Sequence, residues 1–202
     1  MKHTTASHAA LVHASTPLFT GIIAAGLERR WPGRWWWIGV AVALFGEALL
    51  IGLGRGFNEP GVTVHGDLVV FAACLAVAFG YVAGGSLTQS LGSLSVTFWG
   101  VVLAALASLP GLLLIPGSGL HAAQPAALGA LAYLVLISSV VGYIAWNWAL
   151  AHGGIGRTGV LQFAQPVLSV LLAVVLLGEE LTSSVIVSAA VILAGVAIAR
   201  RS

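Results

Sequence analysis

The chain has 202 residues, of which 59% are hydrophobic and only 7% charged, with a formal net charge of +2. Its mean hydropathy of +1.03 excludes an ordinary water-soluble domain, and the few arginines behind the net charge make no basic surface for nucleic acid. Cys74 is the only cysteine, which excludes a disulfide framework and a cysteine metal site.

A hydrocarbon core about 30 Å thick takes about 20 mostly apolar residues to cross as a helix. Only helices and closed barrels satisfy their backbone in lipid. Long Leu/Val/Ala/Gly runs, rather than short alternating segments, predict an all-α polytopic membrane protein with seven transmembrane helices. The first, Ala9–Leu27, follows a polar Met1–His8 with no signal-peptide cleavage site. After the breaker Trp31-Pro32-Gly33 comes Trp35–Leu53, which carries Glu47, the one carboxylate inside a predicted span. A charge at mid-membrane costs roughly 2.5–3.5 kcal/mol, which makes Glu47 a proton-coupling candidate by default. It lies toward the outer end of a helix not expected to line the pathway, so a neutral or snorkelling glutamate is the preferred reading.

Asn58-Glu59-Pro60-Gly61 leads into Leu68–Thr88, where Ala72, Ala76, Gly80 and Gly84 form a small-residue stripe suited to helix packing. Leu94–Ile115 follows, then Pro116-Gly117-Ser118-Gly119 and the fifth helix, Pro125–Leu150. Trp146-Asn147-Trp148 in that helix reads first as an interface anchor. His152-Gly153-Gly154 precedes Thr158–Gly178, and Thr182–Ala199 ends the series.

Arginines set the orientation. With the joint of Arg29, Arg30 and Arg34 in the cytoplasm, Arg157, Arg200 and Arg201 fall inside as well, leaving Lys2 and Arg55 outside. The positive-inside rule then predicts an outer N-terminus and a cytoplasmic C-terminus. Glu59, Asp67, Glu179 and Glu180 lie outside on this topology.

An internal symmetry joins the ends of the chain. Pro17 and Gly46 are 29 residues apart, as are Pro166 and Gly195. Aligned on the prolines, His13 meets Gln162, Thr16 meets Gln165 and Thr20 meets Ser169, each trio on one helix face. Matched helices are five apart in the series, the first with the sixth, so the copies cross in opposite directions, the inverted repeat of a transporter with its site at the repeat interface. Each proline removes an N–H, so Pro17 and Pro166 are expected to break or kink their helices and free the carbonyls of His13 and Gln162.

The segment VLQFAQPVLSVLLAVVLLGEELTSSVIVSAAVILAGVAIAR, from Val160, resembles the end of the EamA-type repeat of the drug/metabolite transporter superfamily. HGDLVVFAACLAVAFGYV, from His65, is similar to the start of such a repeat, and LISSVVGYIAWNWAL, from Leu136, to its third helix. The resemblance implies that 1–56 corresponds to the last two helices of a first repeat, 57–65 to an extracytoplasmic linker and 66–202 to a complete five-helix second repeat. Such transporters have ten helices, so the chain looks like the last seven, lacking the first three. Ser188 stands where the family often has glycine at a helix contact.

The resemblance also implies a central pathway lined by the first, third, fifth and sixth helices. Available there are His13, Thr16, Tyr81, Gln89, Trp146, Asn147, Gln162 and Gln165, with Gln162 and Gln165 the strongest pair because two amides one turn apart sit badly in lipid. No cofactor is expected. His3, His8 and His13, spaced by fives, do not gather metal ligands on one face. No GxSxG elbow, HExxH pair or acidic dyad points to an enzyme, and Lys2, the only lysine, precedes every span and so cannot carry a retinal Schiff base. The expected function is transport of small organic solutes by alternating access in the cell inner (plasma) membrane. The expected partners are the bilayer, a small-molecule solute and either a second copy or the missing N-terminal helices. A non-transporting fragment or accessory subunit of such a carrier is the alternative.

Overall fold

The computed structural model describes residues 12–54, 64–113, 124–177 and 182–201, and every element among them is helical. In chain order these are α1 (Thr16–Glu28), α2 (Arg34–Gly54), α3 (Val64–Leu91), α4 (Ser93–Leu113), α5 (Pro125–Tyr133), α6 (Gly142–Gly153), α7 (Ile155–Gly159), α8 (Gln165–Leu177) and α9 (Ser183–Ala199). A π-helical stretch, Leu134–Val141, joins α5 to α6, and a 3-10 turn, Val160–Ala164, joins α7 to α8. Four of the resulting runs are long and apolar enough to cross a bilayer on their own: Leu68–Leu91, Ser93–Gly111, Pro125–Gly153 and Ile155–Leu176. The chain is an all-α, multi-pass membrane protein. The expected joints at 58–61 and 116–119, together with Lys2, Arg55, Glu179 and Glu180, lie outside the described residues.

Local chemistry explains the breaks. The α1 helix ends on Arg29 in the left-handed region (φ 52°), with the Arg30 N–H donating to the Ala25 carbonyl. Only Gly92, at φ 78°, separates α3 from α4, a conformation glycine adopts without steric cost. In the π-helical stretch the Ser139 hydroxyl donates to the Leu134 carbonyl five residues back, at 3.1 Å.

The chain falls into two compact units, one drawn from Met1–Val82 and Gly153–Ser202, the other from Ala83–His152. In the first, α2 and α9 form the most extensive helix pair. They run antiparallel: Gly39 faces Ala199, and Gly46 faces Ile192. A Cβ on Gly195 would lie 2.7 Å from the Gly39 carbonyl oxygen, and one on Gly46 would lie 2.8 Å from the Ile192 nitrogen, so glycine is what lets these backbones meet. The contact of Ala43 with Gly195 and that of Gly46 with Ile192 exchange under the same 149-residue offset that relates Pro17 to Pro166. The repeat read in the sequence is thus obeyed by the helix crossing.

Trp36, Val40 and Ala43 of α2 pack with Ile192, Val196 and Ala199 of α9, and with Val160, Phe163 and Val167 around the 3-10 turn. The Trp36 indole donates to the Gly156 carbonyl at 3.3 Å and packs against Gly21, whose missing side chain makes room for it. Ser188, in the place of a glycine, is fully buried and tolerated because its hydroxyl donates back to the Ser184 carbonyl at 2.9 Å.

On α3 the expected stripe packs at Gly84, which is buried, and is corrected at its other three members. Ala72, Ala76 and Gly80 are exposed, and the buried residues are Cys74, Ala78 and Val82. Small size permits close approach, but the partner decides which face is covered, and here it is the face with Cys74, whose thiol lies 3.7 Å from the Val12 carbonyl.

In the second unit Gly84, from the end of α3, lies against the Asn147 side chain, and Asn147 donates to the Thr97 hydroxyl at 3.1 Å. That hydrogen bond links α6 to α4. Trp148 stacks on His152 at 4.5 Å, one turn on. Most of α4 and α5 is apolar and exposed, as suits helices that meet lipid.

Candidate functional site

The two proline-containing segments are built alike. Thr16 opens α1 and Gln165 opens α8, each with a proline as the second helical residue. Proline is well placed there, because the first N–H groups of a helix have no intrahelical partner and its φ suits the turn. The break expected at each proline therefore takes the form of a helix start. Before Pro17 the chain makes a tight turn, with the Ser15 N–H on the Val12 carbonyl at 3.1 Å. Before Pro166 the turn is 3-10, and the Gln165 N–H reaches the Gln162 carbonyl. That carbonyl, expected to be free, is satisfied by the tighter three-residue bond. One turn into each helix a hydroxyl donates back four residues: Thr20 to the Thr16 carbonyl at 2.9 Å and Ser169 to the Gln165 carbonyl at 3.0 Å.

These matched segments open onto one cavity of about 400 Å³ within the first unit. From the first copy His13, Thr16 and Pro17 line it; from the second, Gln162, Gln165, Pro166 and Ser169. Tyr81 of α3 and Leu50 of α2 add an aromatic and an aliphatic wall. His13 Nδ1 lies 3.4 Å from the Thr16 hydroxyl and 3.7 Å from the Cys74 thiol, which fix the ring against α3. Among the described residues no three His, Cys, Asp or Glu side chains are grouped as metal ligands.

Glu47 is the correction. It was expected on a helix away from the pathway, yet it lines this cavity, 6% exposed. Among the described residues its buried Oε2 has no hydrogen-bond partner, nor has the buried Oε1 of Gln162. Glu47 directly follows Gly46, at the helix crossing, and the cost of a carboxylate inside a span is the sequence signal that points to it. Ser169, in sequence only the counterpart of Thr20, lines the cavity as well. Trp146 and Asn147, also candidates, belong to the other unit, where Asn147 is buried and bonded to Thr97. Gln89 is exposed in that unit too.

Comparison with known proteins bears on what such a cavity serves. The EamA-like transporter family model matches residues 64–201. The whole chain is 32% identical to the uncharacterized transporter YdeK of Bacillus subtilis (strain 168), of which it spans 69%. Over 78% of its length it is 27% identical to a probable amino-acid metabolite efflux pump of Salmonella typhimurium, of which the match spans 54%. A solved crystal structure superposes on 98% of the chain and 69% of that protein, with a TM-score of 0.84 at 25% identity.

Proposed function

The chain belongs to the EamA-like transporter family, and from that premise we propose that it moves small organic solutes across the membrane by alternating access, with the cavity between His13 and Gln165 as the solute site. The observation that carries this reading is the convergence of both repeat copies on one cavity. Polar groups at membrane depth are retained where they line a wet cavity. In inverted-repeat carriers the two halves rock about a site at their interface. The relative named as an amino-acid metabolite efflux pump makes export of amino-acid-like solutes the first direction to test.

Topology belongs to the same proposal: plasma membrane, N-terminus outside, C-terminus in the cytoplasm, with 1–56 and 66–202 as portions of successive repeats. In support, the Arg157 guanidinium donates to the Arg200 carbonyl at 3.3 Å, and Gly39, just after Arg34, faces Ala199. Three of the arginines assigned to the cytoplasm thus gather at one end of the first unit.

Flux of labelled amino acids from reconstituted vesicles tests transport. Counterflow above that of protein-free vesicles is expected, and it should fall roughly tenfold in Gln162→Leu, the loss of about 1.4 kcal/mol that one hydrogen bond supplies. A second reading, a non-transporting piece or accessory subunit of such a carrier completed by a second copy or by further helices, is favoured by the length its relatives possess beyond the matched region. Absence of flux both from this chain and from one extended by three N-terminal helices would overturn the transport reading.

A further inference from the structure

We propose that this cavity recognises a primary ammonium group on its solute, with the Glu47 carboxylate as counter-ion and the Gln162 side-chain oxygen as second acceptor. The inference rests on the transport reading of the same cavity and names its substrate class.

Glu47 and Gln162 both line the cavity, and each presents a buried oxygen to which no group among the described residues donates. Buried acceptors are normally paired, and a pair of orphans in one cavity is an arrangement awaiting a donor. The described part of the cavity lining supplies no cation for them. Among the described residues no lysine or arginine lines the cavity, and Arg34, Arg157 and Arg200 gather at the end where α2 begins and α9 finishes. The titratable groups sharing the lining with Glu47 are His13 and Tyr81.

A bare metal ion fits poorly, since Ca²⁺ takes six to eight oxygens and no cluster of three ligating side chains exists among the described residues. An ammonium has three N–H donors, enough for both acceptors, and a charge to match the carboxylate. Leu50, Pro17, Pro166 and Val170 supply apolar wall for the carbon skeleton behind it. A free solute and the headgroup of phosphatidylethanolamine share this chemistry.

The test uses the full chain in phosphatidylglycerol nanodiscs, with calorimetric titration of phenethylamine, phenethyl alcohol and hydrocinnamate, which differ in charge at one end. Phenethylamine is expected to bind, and the neutral and anionic analogues at least roughly tenfold more weakly; Glu47→Gln should erase that preference with a loss of roughly thirtyfold, as for other buried charge pairs. Gln162→Leu should weaken phenethylamine and spare the alcohol. Should Glu47→Gln not fold, dicyclohexylcarbodiimide labelling of Glu47 in the unmodified protein reads the same contact, slowed by phenethylamine and not by the alcohol. Adding phosphatidylethanolamine separates the sources: unchanged phenethylamine affinity assigns the site to a soluble amine, and competition assigns it to the headgroup. Equal affinity for the three probes, or a charge preference that survives Glu47→Gln, would overturn the proposal. Vesicle flux indifferent to solute charge would end this inference and leave the transport reading standing, whereas charge-selective binding without flux would do the reverse.

Discussion

Pro17 and Pro166 were expected to break or kink their helices, and each sits as the second residue of an α-helical segment that follows a tighter turn, for Pro166 inside the continuous helical run Ile155–Leu176. Position within the turn determines what proline costs. An interior proline costs about 3 kcal/mol, whereas one in the first turn removes an N–H that had no partner. Pro166→Ala is therefore expected to shift stability by less than about 1 kcal/mol, seen as a small change in Tm of the purified protein. Asn147 behaves differently, because its amide is buried and bonded to Thr97 across two helices. Asn147→Leu should cost about 1 kcal/mol, and the Thr97→Val partner should show non-additivity in a double-mutant cycle. Neither change touches the cavity of the first unit, so solute binding measured beside the Tm should hold. Glu47 was harder to place from sequence. Its helix and depth were legible, but which of its helix faces turns to a cavity depends on α9, a segment about 150 residues away in the chain.

The α2–α9 pair is the element on which the first unit is organised. Glycines at 39, 46 and 195 allow the backbones into contact, and the buried Trp36 and Phe163 close the crossing from the side. Lipid tails are as apolar as leucine, so close packing and dispersion hold such a pair together rather than exclusion of water. Gly195→Val is expected to destabilise by about 1–3 kcal/mol through overpacking, measured as a fall in Tm or in resistance to detergent unfolding. Gly80→Val is the control, since a side chain there meets nothing within 4 Å; it should leave both measurements unchanged. On α3 the small-residue stripe misled over its first three members. Period-four small residues mark faces able to pack, and Ala72, Ala76 and Gly80 are such a face, but the neighbour lies on the side of Cys74, Ala78 and Val82.

For the molecule as a whole, antiparallel packing of α2 against α9 and the matched helix starts at Thr16 and Gln165 express one symmetry read twice, in sequence and in space. The topology that follows is testable from outside the cell. In a Cys74→Ala background, a cysteine at Arg30 is expected to be shielded from a membrane-impermeant maleimide in intact cells, and one at Thr182 to react. Labelling of both from the same side would contradict the inverted arrangement.

Amino-acid sequence alone determined the class of fold, the bounds of the described helices after the first to within a few residues, the repeat and the polar groups His13, Thr16, Gln162 and Gln165 that now share a cavity. These follow from local physics: apolar length, breakers, and the cost of leaving a polar group in lipid. Tertiary structure decided the rest. It turned the proline breaks into helix starts, chose the buried face of α3, kept Asn147 in the second unit and brought Glu47 into the cavity. Each of those outcomes depends on which distant backbone comes near, and helical periodicity offers several faces without saying which one is met.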